Sequence, residues 1–201
     1  IEEANRPGEL MPIFEDEHGT YIMNSKDLRA IQHIERLTKM GVDSLKIEGR
    51  TKSVYYVSRT AQIYRRAIED AMAGQTFDPT LIGKLDNLAN RGYTDGFYQR
   101  HPTQQQQNYI RGYSSSDRQQ FVGEIAGYDE TMHCLDITVK NKFSVGDKLE
   151  LILPTGNIEW TLEKMMDKQG NAIDVAPGSG HSIKLPYRGD VPKHGLLARY
   201  L

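Results

Sequence analysis

The chain has 201 residues and carries 25 Lys and Arg against 27 Asp and Glu, a formal net charge of −2. Near-neutrality excludes a polycation that binds nucleic acid by bulk charge, and a hydrophobic share of 38% excludes an acidic disordered segment. One cysteine, Cys134, excludes an internal disulfide and a thiolate metal site built by this chain alone.

Residues 20–24 form a short apolar run closed by Asn24 and Ser25, which predicts a brief buried strand. Ser25 is a good helix N-cap, and Asp27 would place negative charge in the first turn. Leu28, Ile31, Ile34 and Leu37 recur at helical spacing, and Gly41 sits just past the expected end. Residues 42–47 read as a second strand, followed by the charged turn Glu48-Gly49-Arg50-Thr51-Lys52. Ser53 caps the next predicted helix, whose buried stripe is expected at Val54, Val57, Ala61, Tyr64, Ile68 and Ala71, with Gly74 ending it.

The order strand, helix, strand, helix implies parallel strands joined by right-handed crossovers. Two such units cannot cover a parallel sheet by themselves. Residues 1–75 are therefore expected to be the last βα units of a (β/α)8-type barrel whose earlier units are missing, in keeping with Ile1 standing where a start methionine would. Residues 76–118 read as a third helix and a Tyr/Gln-rich linker. Asp78 caps that helix, Pro79 opens it, and Leu81, Leu85 and Leu88 line one face. Tyr93, Tyr98, Tyr109 and Tyr113 suit packing against a neighbouring domain better than stacking on bases.

From residue 119 the period changes to alternation. Leu135, Ile137 and Val139, then Leu149, Leu151 and Leu153, then Ile158, Trp160 and Leu162 alternate with mostly polar residues. Turn signals such as Pro154-Thr155-Gly156-Asn157 and Gln169-Gly170-Asn171 separate them, and Phe143-Ser144-Val145-Gly146-Asp147 reads as a tight corner. The pattern predicts a small antiparallel β-barrel over residues 119–201. The fold class is thus α/β followed by all-β.

The six histidines show no zinc-ligand spacing, and the chain has no G-x-S-x-G and no P-loop. Cys134 follows His133, but adjacent strand residues face opposite sides, so Cys134 is expected as a small packed or half-exposed strand residue. No residue is assigned to a metal. What remains are the two βα loops, since sites on such barrels gather at the C-terminal ends of strands. They supply Asn24 and Ser25 from one strand and Lys46, Glu48, Arg50 and Lys52 from the next. If the face shared by Ser44, Lys46 and Glu48 lines the barrel interior, Lys46 and Glu48 form a candidate catalytic pair; a polar layer bracing the barrel is an equal reading. Asn24, Ser25, Arg50 and Lys52 are candidate substrate contacts, Arg50 with the fork that suits phosphate or carboxylate. Between residues 46 and 66 six basic side chains stand against one acid, Glu48, a local patch that a solvated helix face also explains. No apolar run reaches the length of a membrane span and no signal peptide is visible, so a cytoplasmic protein without membrane partners is expected.

Asn5-Arg6-Pro7-Gly8-Glu9, the stretch from Gly19 to Leu28 and, most specifically, Ser44-Leu45-Lys46-Ile47-Glu48-Gly49-Arg50-Thr51-Lys52-Ser53 resemble the peptidase U32 family. The likeness continues through Arg91-Gly92-Tyr93-Thr94 and the corner at 143–147, and is greatest to the tRNA-modifying branch. The resemblance implies a (β/α)8-type catalytic domain ahead of a small β-barrel, in proteins catalogued as proteases or collagenases. For the tRNA branch it implies prephenate-dependent 5-hydroxylation of the wobble uridine. It also implies a [4Fe-4S] cluster on cysteines of the catalytic half. That cysteine signature is expected upstream of Ile1, and many relatives carry Cys where Arg29 stands, so no cofactor is expected in these residues. The implied partners are tRNA and the missing N-terminal half of the same barrel. The expected function is the C-terminal portion of a tRNA-hydroxylating enzyme, inactive alone. The alternatives are a U32 protease or collagenase, and a non-catalytic RNA- or protein-binding module.

Overall fold

The computed structural model describes residues 2, 7–8, 13–16, 19–21, 26–88, 92–99 and 119–201. They fall into two compact units, one from residues 1–50 with 63–116 and the other from residues 51–62 with 117–201.

In the first unit, β1 (Phe14–Asp16) and β2 (Gly19–Tyr21) form an antiparallel hairpin. The parallel pair is a short one: β3 (Asp27–Leu28) lies beside β4 (Tyr93–Thr94), tied by Asp27 N to Gly92 O at 2.9 Å and Arg29 N to Thr94 O at 2.8 Å. Because these amides are committed to the ladder, the helix expected from Ser25 starts later. A single 3-10 turn (Ile31–His33) leads into α1 (Ile34–Lys39), and Leu28 belongs to β3. Gly41 ends the helix at φ +80°, where a residue with a Cβ would be strained. Residues 42–47, expected as a second strand, form no regular element, nor do residues 48 and 49 after them. A parallel strand exists through hydrogen bonds to flanking strands, and none of the described strands lies along this segment.

Helix α2 (Val54–Met72) forms where expected but buries a different face. Tyr55, Arg59, Thr60, Ile63 and Ala67 are buried, whereas Val54 is 57% and Val57 41% exposed. In α3 (Thr80–Asp86) the expected pattern holds: Leu81, Leu85 and Leu88 are buried, and the Asp78 carboxylate accepts from Thr80 N at 2.9 Å and Thr80 Oγ1 at 2.8 Å.

The second unit is built on strands β5 (Gln119–Asp129), β6 (Cys134–Val139), β7 (Phe143–Ser144), β8 (Lys148–Ile152), β9 (Ile158–Thr161), β10 (Met165–Asp167), β11 (Ala172–Ile173), β12 (Val175–Ala176), β13 (Ser182–Pro186) and β14 (Leu196–Tyr200). Eight of them make one antiparallel sheet in the order β11-β10-β13-β6-β5-β14-β8-β9, and β7 pairs with β12 as a separate ribbon. The inward residues of the alternation, Leu135, Ile137, Val139, Leu149, Leu151, Leu162, Ile183, Leu185 and Leu197, form one core with Phe143 and Ala176 of the ribbon. Two extra residues in β5, Val122 opposite β14 and Ala126 opposite β6, help this long strand curl. The expected barrel is thus a curled antiparallel sheet, with its end strands β9 and β11 not paired to each other. The corner at 143–147 is tight as expected: Gly146 has φ +93°, and Asp147 Oδ2 accepts from Ser144 N at 2.9 Å.

Strand β8 departs from simple alternation. Leu149 and Leu151 face the core, yet Glu150 and Ile152 on the other face are buried too. That second face is covered by the first turns of α2, where the Tyr55 ring stacks on Phe121 at 5.3 Å. Elsewhere on the sheet Lys184 Nζ reaches Asp129 at 2.8 Å and Asp136 at 2.9 Å, and Lys148 Nζ reaches Glu159 at 2.6 Å.

Two outcomes follow from this packing. A Cβ at Gly123 would sit 2.7 Å from Ile137 Cγ2 and 3.1 Å from the Thr138 carbonyl oxygen, which is backbone and cannot yield. Gly123→Val should therefore cost about 1–3 kcal/mol in urea unfolding; an unchanged midpoint would contradict the register of β5 on β6. The second concerns pH. The hydrogen bond from Lys184 holds Asp129 below the usual carboxylate range, and Lys148 and Tyr200 do the same for Glu159. The native state then binds fewer protons than the unfolded chain as pH falls, so stability is full above the unfolded carboxylate values of about 3.9–4.3 and is lost below them. The melting temperature should be level from about pH 7 to pH 5 and drop below about pH 4, less steeply in Asp129→Asn.

Candidate functional site

The loop singled out by the sequence is exposed. Lys46 and Glu48 lie on the irregular segment 42–49 with Nζ and Oε2 3.9 Å apart, their side chains 87% and 68% exposed. The interior placement considered for this pair is not what the described residues form: with no strand on either side, both side chains turn to solvent. An acid–base pair needs a geometry that holds the proton's donor and acceptor against a substrate, and an exposed pair at this distance lacks it. Arg50 is exposed, and Lys52 is half-buried with Nζ 4.7 Å from the centre of the Tyr56 ring, a cation–π contact. Ser53 Oγ accepts from Tyr56 N at 3.2 Å and caps α2 as expected. Asn24 and Ser25 lie outside the described residues.

The basic stretch is smaller than its residue count suggests. Arg65 pairs with Glu69 at 2.7 Å and Arg66 with Asp70 at 2.9 Å, one turn along the same helix. Arg59 is buried against Glu150. Of the other three cations, Lys46 lies 3.9 Å from Glu48, Arg50 is exposed, and Lys52 rests on the Tyr56 ring.

The buried pair is the feature that residue patterns did not reveal. Arg59 donates from both terminal nitrogens to Glu150, Nη1 to Oε1 at 3.0 Å and Nη2 to Oε2 at 3.2 Å, with both side chains 5% exposed. Gln119 Nε2 donates to Oε2 and Asn157 Nδ2 to Oε1, each at 2.6 Å, so the carboxylate has all four acceptor positions filled. Tyr55 Oη donates to Gln119 Oε1 at 3.3 Å, and burial pushes this phenol up to about 12. One turn further on, Gln62 Nε2 donates to the Leu153 carbonyl at 3.1 Å and to Asn157 Oδ1 at 2.8 Å. The signal in the sequence was the run Leu149-Glu150-Leu151-Ile152-Leu153, apolar on both faces of a strand apart from its one acid.

Cys134 is packed as expected. It is 1% exposed, its thiol donates to the Met132 carbonyl at 3.2 Å, and burial pushes its pKa up. His133 instead has Nδ1 3.3 Å from Tyr128 Oη. A buried, protonated thiol is a poor nucleophile and a poor iron ligand. Among the described residues no group of three or more His, Cys, Asp or Glu is placed to hold a metal ion. The described residues therefore do not fit an iron–sulfur cluster. Arg29 is occupied structurally: its Nη1 pairs with Asp86 at 2.7 Å and its guanidinium lies 4.7 Å from the Tyr93 ring centre. No helix among the described residues is long and apolar enough to cross a membrane.

Comparison with known proteins matches both halves of the chain. The sequence model of Peptidase family U32 covers residues 1–108, and that of the Peptidase family U32 C-terminal domain covers residues 117–199. The chain is 61% identical over 200 residues to tRNA hydroxylation protein P of Escherichia coli (strain K12), which takes in 99% of this chain and 44% of that protein. It is 53% identical over 200 residues to tRNA hydroxylation protein P of Haemophilus influenzae, with the same 99% and 44% coverage. A collagenase of Porphyromonas gingivalis is 30% identical over 193 residues, 92% of this chain and 45% of that protein. The chain spans less than half the length of these curated relatives.

Because Lys46 and Glu48 are exposed, replacing them should leave folding untouched. Lys46→Ala and Glu48→Gln should each keep the melting temperature within about 2 °C. A large drop would show that the pair braces the fold after all.

Proposed function

Because this chain belongs to peptidase family U32, we propose that it is the C-terminal portion of a tRNA hydroxylation protein and that its share of the work is to hold tRNA. The observation that carries this reading is the identity of 61% and 53% to two proteins of that name along 99% of the chain. The reaction on this reading is the 5-hydroxylation of the wobble uridine that the resemblance implies.

Residues 1–75 then contribute the last βα units of a (β/α)8-type barrel, and residues 42–47 become a strand when earlier strands flank them. The [4Fe-4S] cluster belongs to the part of the protein beyond these 201 residues. Lys46, Arg50 and Lys52 neutralise tRNA phosphates, Arg50 through two parallel N–H donors. Each phosphate so contacted releases condensed counterions and makes binding fall with salt.

The protease reading is favoured by the 30% identity to a collagenase. Peptide hydrolysis needs an activated nucleophile beside a base. Among the described residues Cys134, a buried thiol bonded to a backbone carbonyl, does not provide one.

The test is mass spectrometry of tRNA nucleosides from cells deleted for the whole gene. Hydroxylated wobble uridine should be lost in the deletion and restored by the wild-type gene, and restored less well by Arg50→Ala. Unchanged wobble uridine in the deletion would overturn the reading.

A further inference from the structure

Functional groups of parallel α/β folds gather at the carboxyl ends of the strands. Applied to the sequence, that rule singles out the loops 24–25 and 46–52, yet residues 42–47 form no strand. The parallel pair that the protein does form is β3 beside β4. Its carboxyl ends carry different residues. Arg29 follows β3 and leads into the turn Ile31–His33, and Asp95 follows β4 and leads into a second 3-10 turn, Gly96–Gln99. The two turns meet where the His33 ring stacks on the Tyr98 ring at 4.9 Å.

Three buried polar atoms of this cluster have no hydrogen-bond partner: Arg29 Nε, Gln32 Oε1 and His33 Nε2. Folded proteins pair such atoms almost without exception, because an unpaired one has given up its hydration for nothing. Here all three fall between residues 29 and 33, and the groups around them are held in place. Arg29 Nη1 donates to Asp86 at 2.7 Å, and the guanidinium lies 4.7 Å from the centre of the Tyr93 ring. Ala30 N donates to Tyr64 Oη at 2.9 Å and fixes the backbone between them. The stack on Tyr98 orients the His33 ring. Asp95 Oδ2 stands 3.7 Å from His33 Nε2, too far for a hydrogen bond but near enough to favour a proton on that nitrogen. The set therefore offers a donor at Arg29 Nε, an acceptor at Gln32 Oε1 and a donor at His33 Nε2. Its complement is acceptor, donor, acceptor, the order of O4, N3–H and O2 on the pairing edge of uracil, the edge by which enzymes read an extruded base. Cytosine would set an amino group against Arg29 and a lone pair against Gln32. The three atoms are shut off from bulk water, so a base that parts the two turns and reaches them meets no competing solvent.

We propose that Arg29, Gln32 and His33 form the site that receives the uracil base of a tRNA substrate and tells it from cytosine. This rests on the tRNA reading above and adds to it the residues that read the base.

The experiment uses the whole protein and two anticodon stem-loop RNAs that differ only in uridine or cytidine at the wobble position. Affinity for each is measured, with the melting temperature in parallel. The wild-type protein should prefer the uridine RNA about tenfold, the usual effect of mismatched hydrogen-bonding groups. Gln32→Leu and His33→Phe each remove one unpaired atom and keep the side chain's bulk, and His33→Phe keeps a ring to stack on Tyr98. Each should lose most of the preference for uridine. Each should also keep or raise the melting temperature, because a buried polar atom without a partner is gone. A lower melting temperature in either variant would show that the side chain braces the fold, and would overturn the assignment. Folded variants that keep the wild-type preference would overturn it too. A wild-type protein that binds both RNAs equally would overturn the base site and leave the tRNA reading standing. One that binds neither RNA would overturn both.

Discussion

The interaction on which the second unit depends is a carboxylate removed from water. Glu150 sits in β8 between core leucines, on the face a lone antiparallel sheet would leave to solvent. Once that face is covered, an unpaired carboxylate there would cost more than a domain of this size can spare. Arg59, Gln119 and Asn157 fill its acceptor positions, and they come from three separate stretches of the chain. Each must be in place for the others to be satisfied, which makes the arrangement all-or-none.

That requirement explains why the start of α2 leaves the neighbours it has in sequence. The division between the compact units falls within the helix, between Gln62 and Ile63. It also explains which side of the helix is buried. Tyr55, Arg59 and Ile63 recur every four residues, and the residue that chooses the side is the arginine, because it has a charge to satisfy. Val54 and Val57 are apolar but have no such demand, and the helix leaves both exposed.

Carboxylates on the sheet are paired with lysines, the cysteine is sealed under a carbonyl, and Lys46 and Arg50 before α2 are exposed. Such a surface can meet a polyanion, and its affinity would come from a few placed charges, since the chain as a whole is close to neutral.

Local physics was enough to read much of this protein from its residues. The alternation of Leu135, Ile137 and Val139 marks a strand with one buried face because side chains on a strand have a period of two. Ser53, Asp78 and Gly41 mark helix ends because capping depends on neighbours a few residues away. The basic loop from Lys46 to Lys52 could likewise be named from sequence, although its exposure could not. What tertiary structure decided were the partnerships between distant residues. Asp27 and Leu28 became a strand because Tyr93 and Thr94 lie beside them, and residues 42–49 did not because no described strand does. Glu150 stands at a polar position of an alternating strand, and only its bonds to Arg59, 91 residues away, make it the buried centre of the unit. A strand's hydrogen bonds and a carboxylate's counter-charge are supplied by other parts of the chain, so their outcome is written in the packing and not in the local pattern.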